Sequence, residues 1–457
     1  MTWSEPSQLH RTGKLLIDLR MASNPVEARS ILERMVLQVD VGPGLEGKPA
    51  SQAALLTIVN AGHRAFLGGV NVRIDDDSTL TVGWCNGLRV SDAVLRFGGR
   101  IVTTHTADQV TLTVGQPLGM STGKIVLHTA VNGWSGGVVE TLKDETVCDG
   151  LGLTGVISGA LGVSEVFQYC LGSSTAGRRD VGVSLWRPDL PWQNPDATGP
   201  TLRWLPRSLW LLGLGHLGQA YAWSLGWLPY KEPSELTVCL MDVDSIVEGN
   251  VATGLLTRSD DLRKRKTRLV SEQLESLGYQ SAIVERLFDE TLRPSQSEPR
   301  LAFAGFDDPI PRRKLGDGRF DRVVDGGLGA GSTGYLDILL HTFPSQLDPA
   351  TAFGTGAKLV SSILPPAYEV EAQRRIAEGA SVGDAQCGML EFAGVTIGAA
   401  FVGAVASALV VADPLRQLHQ GSELVVVGLD LRSPNDIQTA PNTEPSLRMP
   451  PTADSER

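Results

Sequence analysis

The chain has 457 residues, 42% hydrophobic and 20% charged, enough for two or three domains of ~150 residues and a substantial core. A formal charge of −11 and a pI near 5.2 argue against a general phosphate-backbone binder, which would present a basic face, so partners are expected among proteins and small molecules, with no nucleic acid. Five cysteines with no Cys-x-x-Cys pair argue against a disulfide framework or a tetrathiolate zinc site and fit a reducing cytoplasm.

Met1 to Ser7 carries neither a basic patch nor an apolar run, so no secretory signal is expected. Ser51 to Phe66, apolar at Ala54, Leu55, Ile58, Val59 and Ala65, predicts a helix, and Val70–Ile74 and Leu80–Trp84 predict strands. The small-residue run from Gly155 to Leu171 resembles the later run from Gly398 to Leu415. Diverged copies would explain this, as would two unrelated helices rich in Gly and Ala. On the first explanation residues 1–175 form a degenerate, non-catalytic copy with neither a glycine fingerprint nor Asp-x-Asp. Pro188, Pro191, Pro195 and Pro200 mark a linker at 176–205.

Residues 206–432 alternate strand and helix patterns, predicting a doubly wound, mostly parallel α/β sheet covered on both faces. Trp210 to Leu212 reads as a buried strand running into Gly213-x-Gly215-x-x-Gly218, and Val238 to Met241 as a second strand ending in Asp242-x-Asp244. Such glycines let backbone approach phosphate at a helix N-terminus, and the acid can hold a ribose. Alone this suggests an NAD-dependent oxidoreductase, or an ordinary turn with solvated acids. Asn250 follows Asp242 by eight residues, and Lys266 follows Asn250 by sixteen and opens an amphipathic stretch. Leu301 to Ala304 leads to Asp307, Asp308 and Arg312, and Val323-Val324-Asp325 to Gly326-Gly327. Phe392 to Ala412 has no charge and is long enough to span a bilayer, but its Gly and Ala content and the following Asp413-Pro414 favour a buried helix over a membrane span. Residues 433–457 read as a disordered tail.

This ordered set resembles the ThiF/MoeB/ubiquitin-activating superfamily, over about the second half of the chain. The resemblance implies a Rossmann-like adenylation fold that uses ATP and Mg²⁺ to join AMP to the C-terminal glycine of a ubiquitin-like protein. It implies that Gly213, Gly215 and Gly218 face phosphate, that Asp242 and Asp244 lie at the ribose, and that Asn250 and Lys266 act on the phosphates. Asp307 holds the metal, with Asp308 its competitor or simply a turn cap, and His216 contributes backbone rather than imidazole. Thr253 departs from the family, which has Arg there, so the charge must come from Arg258, Arg312 or an arginine of the first half such as Arg64. Cys387 looks like the loop cysteine that takes the carrier as a thioester, although cysteine is also a small buried hydrophobe. Cys85, Cys148, Cys170 and Cys239 read as core, with Cys148 also placeable in a loop. The implied partners are a ubiquitin-like substrate and a conjugating enzyme, with a homodimer possible, in the setting of bacterial operons linked to phage defence. A sulfur-carrier or peptide-modifying adenylyltransferase without a thioester step, and a catalytically dead scaffold, remain the alternatives.

Overall fold

The computed structural model describes residues 10–116, 123–142, 147–316, 319–354, 366–443 and 453–454, with backbone alone at 147–149, 366–367, 384, 387–388, 392 and 453–454. Its architecture is the expected doubly wound α/β, and it occurs twice. In the second half the spatial order is Gln280–Val284, Thr237–Met241, Ser208–Leu212, Leu301–Ala304, Arg322–Leu328, Asp337–Phe343, Leu424–Asp430 and Gln438–Pro441. The first five are parallel and the last three antiparallel. In the first half the order is Arg100–Ile101, Gly69–Ile74, Val36–Val41, Val110–Val114, Ile125–Gly133, Ser135–Val139 and Val181–Ser184, with Val147–Gly150 also beside Ile125–Gly133. Five parallel strands are again followed by antiparallel pairings, two here against three in the second half. Leu209 to Leu212 is entirely buried, which is why it reads as an unbroken apolar run rather than an alternation.

The halves share one core. A contiguous hydrophobic cluster runs from Leu15 to Leu431, and at its centre pack the helices Pro49–Ala65, Gly152–Cys170, His216–Leu225 and Ala400–Leu418. The small-residue composition has a steric cause. A Cβ on Gly155 would stand 2.0 Å from the Ala50 carbonyl oxygen, so the two helix backbones could not approach so closely with any larger residue. Between halves, the Trp84 and Trp223 rings stack at 5.4 Å, and Trp84 Nε1 donates to the Trp223 carbonyl. Ala400–Leu418 is long and apolar enough to cross a membrane by length and composition, but 89% of its apolar window is buried inside the protein.

Several local expectations are revised. Leu80 to Trp84 is not a strand: Gly83, with φ +66, starts a 3-10 turn over Gly83–Cys85 that sits on the Trp227 ring. The segment 176–205 is not simply a linker, because Val181–Ser184 is fully buried and closes the first sheet. The tail from 433 begins with Gln438–Pro441, a strand of the second sheet; residues 444–452 and 455–457 lie outside the described residues. Ala400–Leu418 runs through Pro414 rather than stopping there. Cys85 and Cys239 are buried as expected, whereas Cys170, at a helix end, is exposed, and the Cys148 side chain lies outside the described residues.

The first half also has the glycine signature it was expected to lack. Gly42-Pro43-Gly44-Leu45-Glu46-Gly47 joins the strand Val36–Val41 to the helix Pro49–Ala65, and Asp75-Asp76-Asp77 follows the strand Gly69–Ile74. Val41 pairs with Ile74 as Leu212 pairs with Met241, so Gly42 stands where Gly213 stands and Asp75 where Asp242 stands. The rest of the set is absent. Val90, not lysine, opens the next helix, and Pro117 occupies the sequence position corresponding to Asp307.

Candidate active site

Strand order reverses between Ser208–Leu212 and Leu301–Ala304, and loops leaving their carboxyl ends in opposite directions open a crevice there. On one side is the glycine turn. Gly213 has φ +82, which a side chain would strain, and its N–H donates to the Met241 carbonyl at 2.9 Å. A Cβ on Gly218 would stand 2.0 Å from the Gly213 oxygen, whereas one on Gly215 would meet nothing within 4 Å. Gly218 therefore serves helix packing, and Gly215 leaves open space at the N-terminus of the helix His216–Leu225, where phosphate is favoured.

The acids after Met241 divide their work. Asp242, whose side chain is 9% exposed, accepts from the Leu214 N–H at 2.7 Å and the Asp244 N–H at 2.7 Å. It braces the glycine turn while each oxygen keeps a further lone pair. Asp244 is exposed and pairs with Lys266 Nζ at 2.7 Å, with Asp242 3.9 Å from the same ammonium. Within Arg263 to Arg268, Lys266 is the buried cation: Lys264 pairs with Glu272, Arg265 donates to the Val243 carbonyl and Arg268 pairs with Glu285 at 3.1 Å. The register of the helix Lys266–Glu275 thus singles out one lysine from a basic run. Asn250 lies in the short helix Glu248–Val251, its Oδ1 accepting the Val247 N–H at 2.9 Å.

Across the crevice Asp307 is exposed, while Asp308 caps the short helix Pro309–Arg312 by accepting the Ile310 N–H at 2.8 Å. Asp307 is therefore the carboxylate free to meet a cation. Among the described residues no group of three or more His, Cys, Asp or Glu could hold a metal, so an ion here would depend on ligand oxygens and water, as Mg²⁺ usually does.

The arginines proposed to replace Thr253 are committed elsewhere. Arg312 grips the buried Asp325 with Nη2 at 2.5 Å and Nε at 3.1 Å and covers the Phe353 ring. Arg64 does reach over from the first half, but it donates to the carbonyls of Val251, Leu255 and Thr257. Arg258 contacts the Arg96 carbonyl at 3.3 Å.

The cation that sequence reasoning missed is Arg11, in the helix Arg11–Asp18. Its Nη2 would lie 2.8 Å from a Cβ on Gly249, beside Asn250, and its Nη1 reaches the Thr396 carbonyl at 3.5 Å. Burial lowers its pKa and the nearby Asp307 carboxylate partly restores it. In the sequence it is only a basic residue far from every motif. His216 is half-buried, its ring against Gly403, and its pKa is lowered to about 4 by burial of the ring, with Arg11 and Arg64 adding to the shift. The ring is neutral packing. Cys387 lies in the helix Val382–Gly394 rather than a loop; its side chain is outside the described residues.

The chain matches the family model of the BilD N-terminal domain over residues 36–185 and that of the BilD C-terminal domain over 205–421. It is 32% identical over 452 residues to the bacterial E1-like protein BilD of Collimonas sp. (strain OK412), covering 97% of this chain and 95% of the relative. Similarity to solved structures is looser. Escherichia coli MccB aligns over 69% of this chain and 92% of its own at 13% identity with a TM-score of 0.34. PaaA aligns over 51% and 72% at 14% identity with a TM-score of 0.32. With both halves matched in order and the full-length relative covered almost end to end, the chain belongs to the BilD family of bacterial E1-like proteins.

Proposed function

We propose that the second half adenylates the C-terminal carboxylate of a ubiquitin-like protein with ATP, and that Cys387 then accepts the acyl group for a conjugating enzyme. One observation carries this reading: an open glycine turn, a free carboxylate, the buried Lys266 and the half-buried Arg11 meet at one switch point in an E1-like chain. Both reactants are anionic, so the site must supply positive charge and hold them in line. The carboxylate oxygen attacks the α-phosphorus, forming the acyl-phosphate anhydride, and pyrophosphate leaves. Mg²⁺ at Asp307 would offset charge on the departing oxygens. The Cys387 thiolate then attacks the acyl carbon and AMP leaves. The first half, with glycine turn but without counterparts of Lys266 and Asp307, serves as a degenerate copy that contributes Arg11. The NAD-dependent alternative draws no support from an E1-like relationship.

The test is exchange of radiolabelled pyrophosphate into ATP, expected only with the carrier present. Asp307→Ala should lower it by roughly 100-fold or more with little effect on folding, because the side chain is exposed. Asp308→Ala should instead cost about 1 kcal/mol of stability through the lost cap and keep exchange. Equal losses in the two variants would remove Asp307 from the metal role.

For the second step, a carrier adduct cleaved by reducing agent is expected in the wild type and not in Cys387→Ala, with pyrophosphate exchange retained. An adduct that persists in Cys387→Ala would leave an adenylyltransferase without a thioester at this cysteine, the peptide-modifying alternative.

A further inference from the structure

A second basic concavity lies on the seam between halves, outside the crevice just described. It is a cleft of about 230 Å³ walled by His63, Arg64, Arg96 and Phe97 of the first half and by Thr257 and Arg258 of the second. Neither Gly215, Lys266 nor Asp307 lines it. Gln273, which does, stands seven residues beyond Lys266 on the same helix, about 10 Å along its axis.

Three arginines, Arg64, Arg96 and Arg258, line it in a chain of net charge −11. Among the described residues none of Arg64, Arg96 and Arg258 forms an ion pair with a carboxylate. Arg64 donates to the Asn60 side chain and to carbonyls, Arg258 Nη2 donates to the Arg96 carbonyl, and Asp261 is spent on the Arg258 backbone N–H at 2.9 Å. Buried arginines are ordinarily paired. Arg64 is only 5% exposed, and burial together with Arg258 pushes its pKa down to about 9, the direction expected of a cation short of negative charge. His63 is neutral through burial and the adjacent Arg64, so it can accept or donate one hydrogen bond.

The cleft is smaller than typical sites for drug-sized ligands, and guanidinium forks match tetrahedral oxyanions bidentately. We propose that this seam cleft binds a compact phosphate-bearing anion, held by the exposed Arg96 and Arg258, with the charge of the buried Arg64 behind them. Because Arg64 also fastens the carbonyls of Val251, Leu255 and Thr257, the bound anion stiffens the segment joining Asn250 to Lys266. It thereby acts on the crevice as an effector rather than as substrate.

Calorimetric titration of the full chain with inorganic phosphate, and separately with pyrophosphate, tests this. Arg96 and Arg258 are exposed, so the variant Arg96→Gln/Arg258→Gln should keep the wild-type melting temperature and bind phosphate at least tenfold more weakly. Arg258→Lys, which keeps the charge, should recover part of the affinity. Lys266→Ala should leave phosphate binding intact, which separates the cleft from the crevice even if the adenylation reading fails. Unchanged affinity in the double variant, or loss in Lys266→Ala alone, would overturn the proposal. Pyrophosphate binding that survives Lys266→Ala assigns a diphosphate to the cleft; pyrophosphate binding lost in that variant beside retained phosphate binding assigns it a monophosphate.

Discussion

Arg11→Ala is expected to lower carrier-dependent pyrophosphate exchange by roughly 1,000-fold, the lower end of what an arginine supplied to a phosphoryl-transfer site contributes. Lys266 alone cannot neutralise a triphosphate beside a carboxylate, since its ammonium already sits 2.7 Å from Asp244, and Thr253 supplies nothing. Arg11 is placed to make up the difference, lying over Gly249 and facing Asp307. Its neighbours keep that charge undiluted: His10 and His216 are both neutral, each with its pKa lowered to about 4 chiefly by desolvation. The loss should fall mainly on kcat, because the charge is needed most as pyrophosphate separates. Arg11→Lys should recover part of it by keeping the charge without the planar fork. A kcat within fivefold of wild type in Arg11→Ala, at unchanged melting temperature, would show that the charge comes from elsewhere.

Why Arg11 stayed hidden while Lys266 did not shows what the sequence can carry. Lys266, Asn250 and Asp307 belong to one Rossmann unit whose parallel strands are continuous apolar runs, so spacing along the chain maps onto position at the carboxyl edge. Asn250 and Lys266 were legible from that spacing. Arg11 reaches the same edge through tertiary packing from the other half, more than two hundred residues away in sequence, and no spacing encodes such a contact. The glycine turn at Gly42 failed for a different reason. Its signature is intact in the sequence, but it follows the short strand Val36–Val41, where Gln38 and Asp40 interrupt the apolar run. Both are buried, Asp40 between Arg73 at 2.7 Å and His105 at 3.0 Å, so paired polar groups disguised a buried strand. Similarly, Pro188 to Pro200 suggested a linker that in fact begins only after Ser184, because Val181 and Val183 had already closed the sheet.

The largest stability effect is expected at Asp413, where the same disguise operates inside a helix. Asp413-Pro414 reads as a helix stop, yet Ala400–Leu418 continues through it because Asp413 has partners on both sides. Its Oδ2 accepts from Arg322 Nε at 2.7 Å and Nη2 at 2.6 Å, and its Oδ1 accepts from Arg416 Nη2 at 2.9 Å. All three side chains are less than 5% exposed. Arg416 also donates to the Leu185 carbonyl at 3.0 Å, so the cluster pins the last turns of this central helix to the first half. Asp413→Ala leaves two buried guanidinium groups with weaker answers, Glu423 at 3.8 Å from Arg322 and the more distant Asp189 for Arg416. Stranding buried charge costs about 3–5 kcal/mol, and urea unfolding of the full chain followed by tryptophan fluorescence should show a loss of that size. Asp413→Leu combined with Arg416→Met should recover part of it, since removing a charge together with its partner avoids most of the desolvation penalty. A loss below about 1 kcal/mol in Asp413→Ala would mean that water enters the cluster and the helix is held by its apolar face alone.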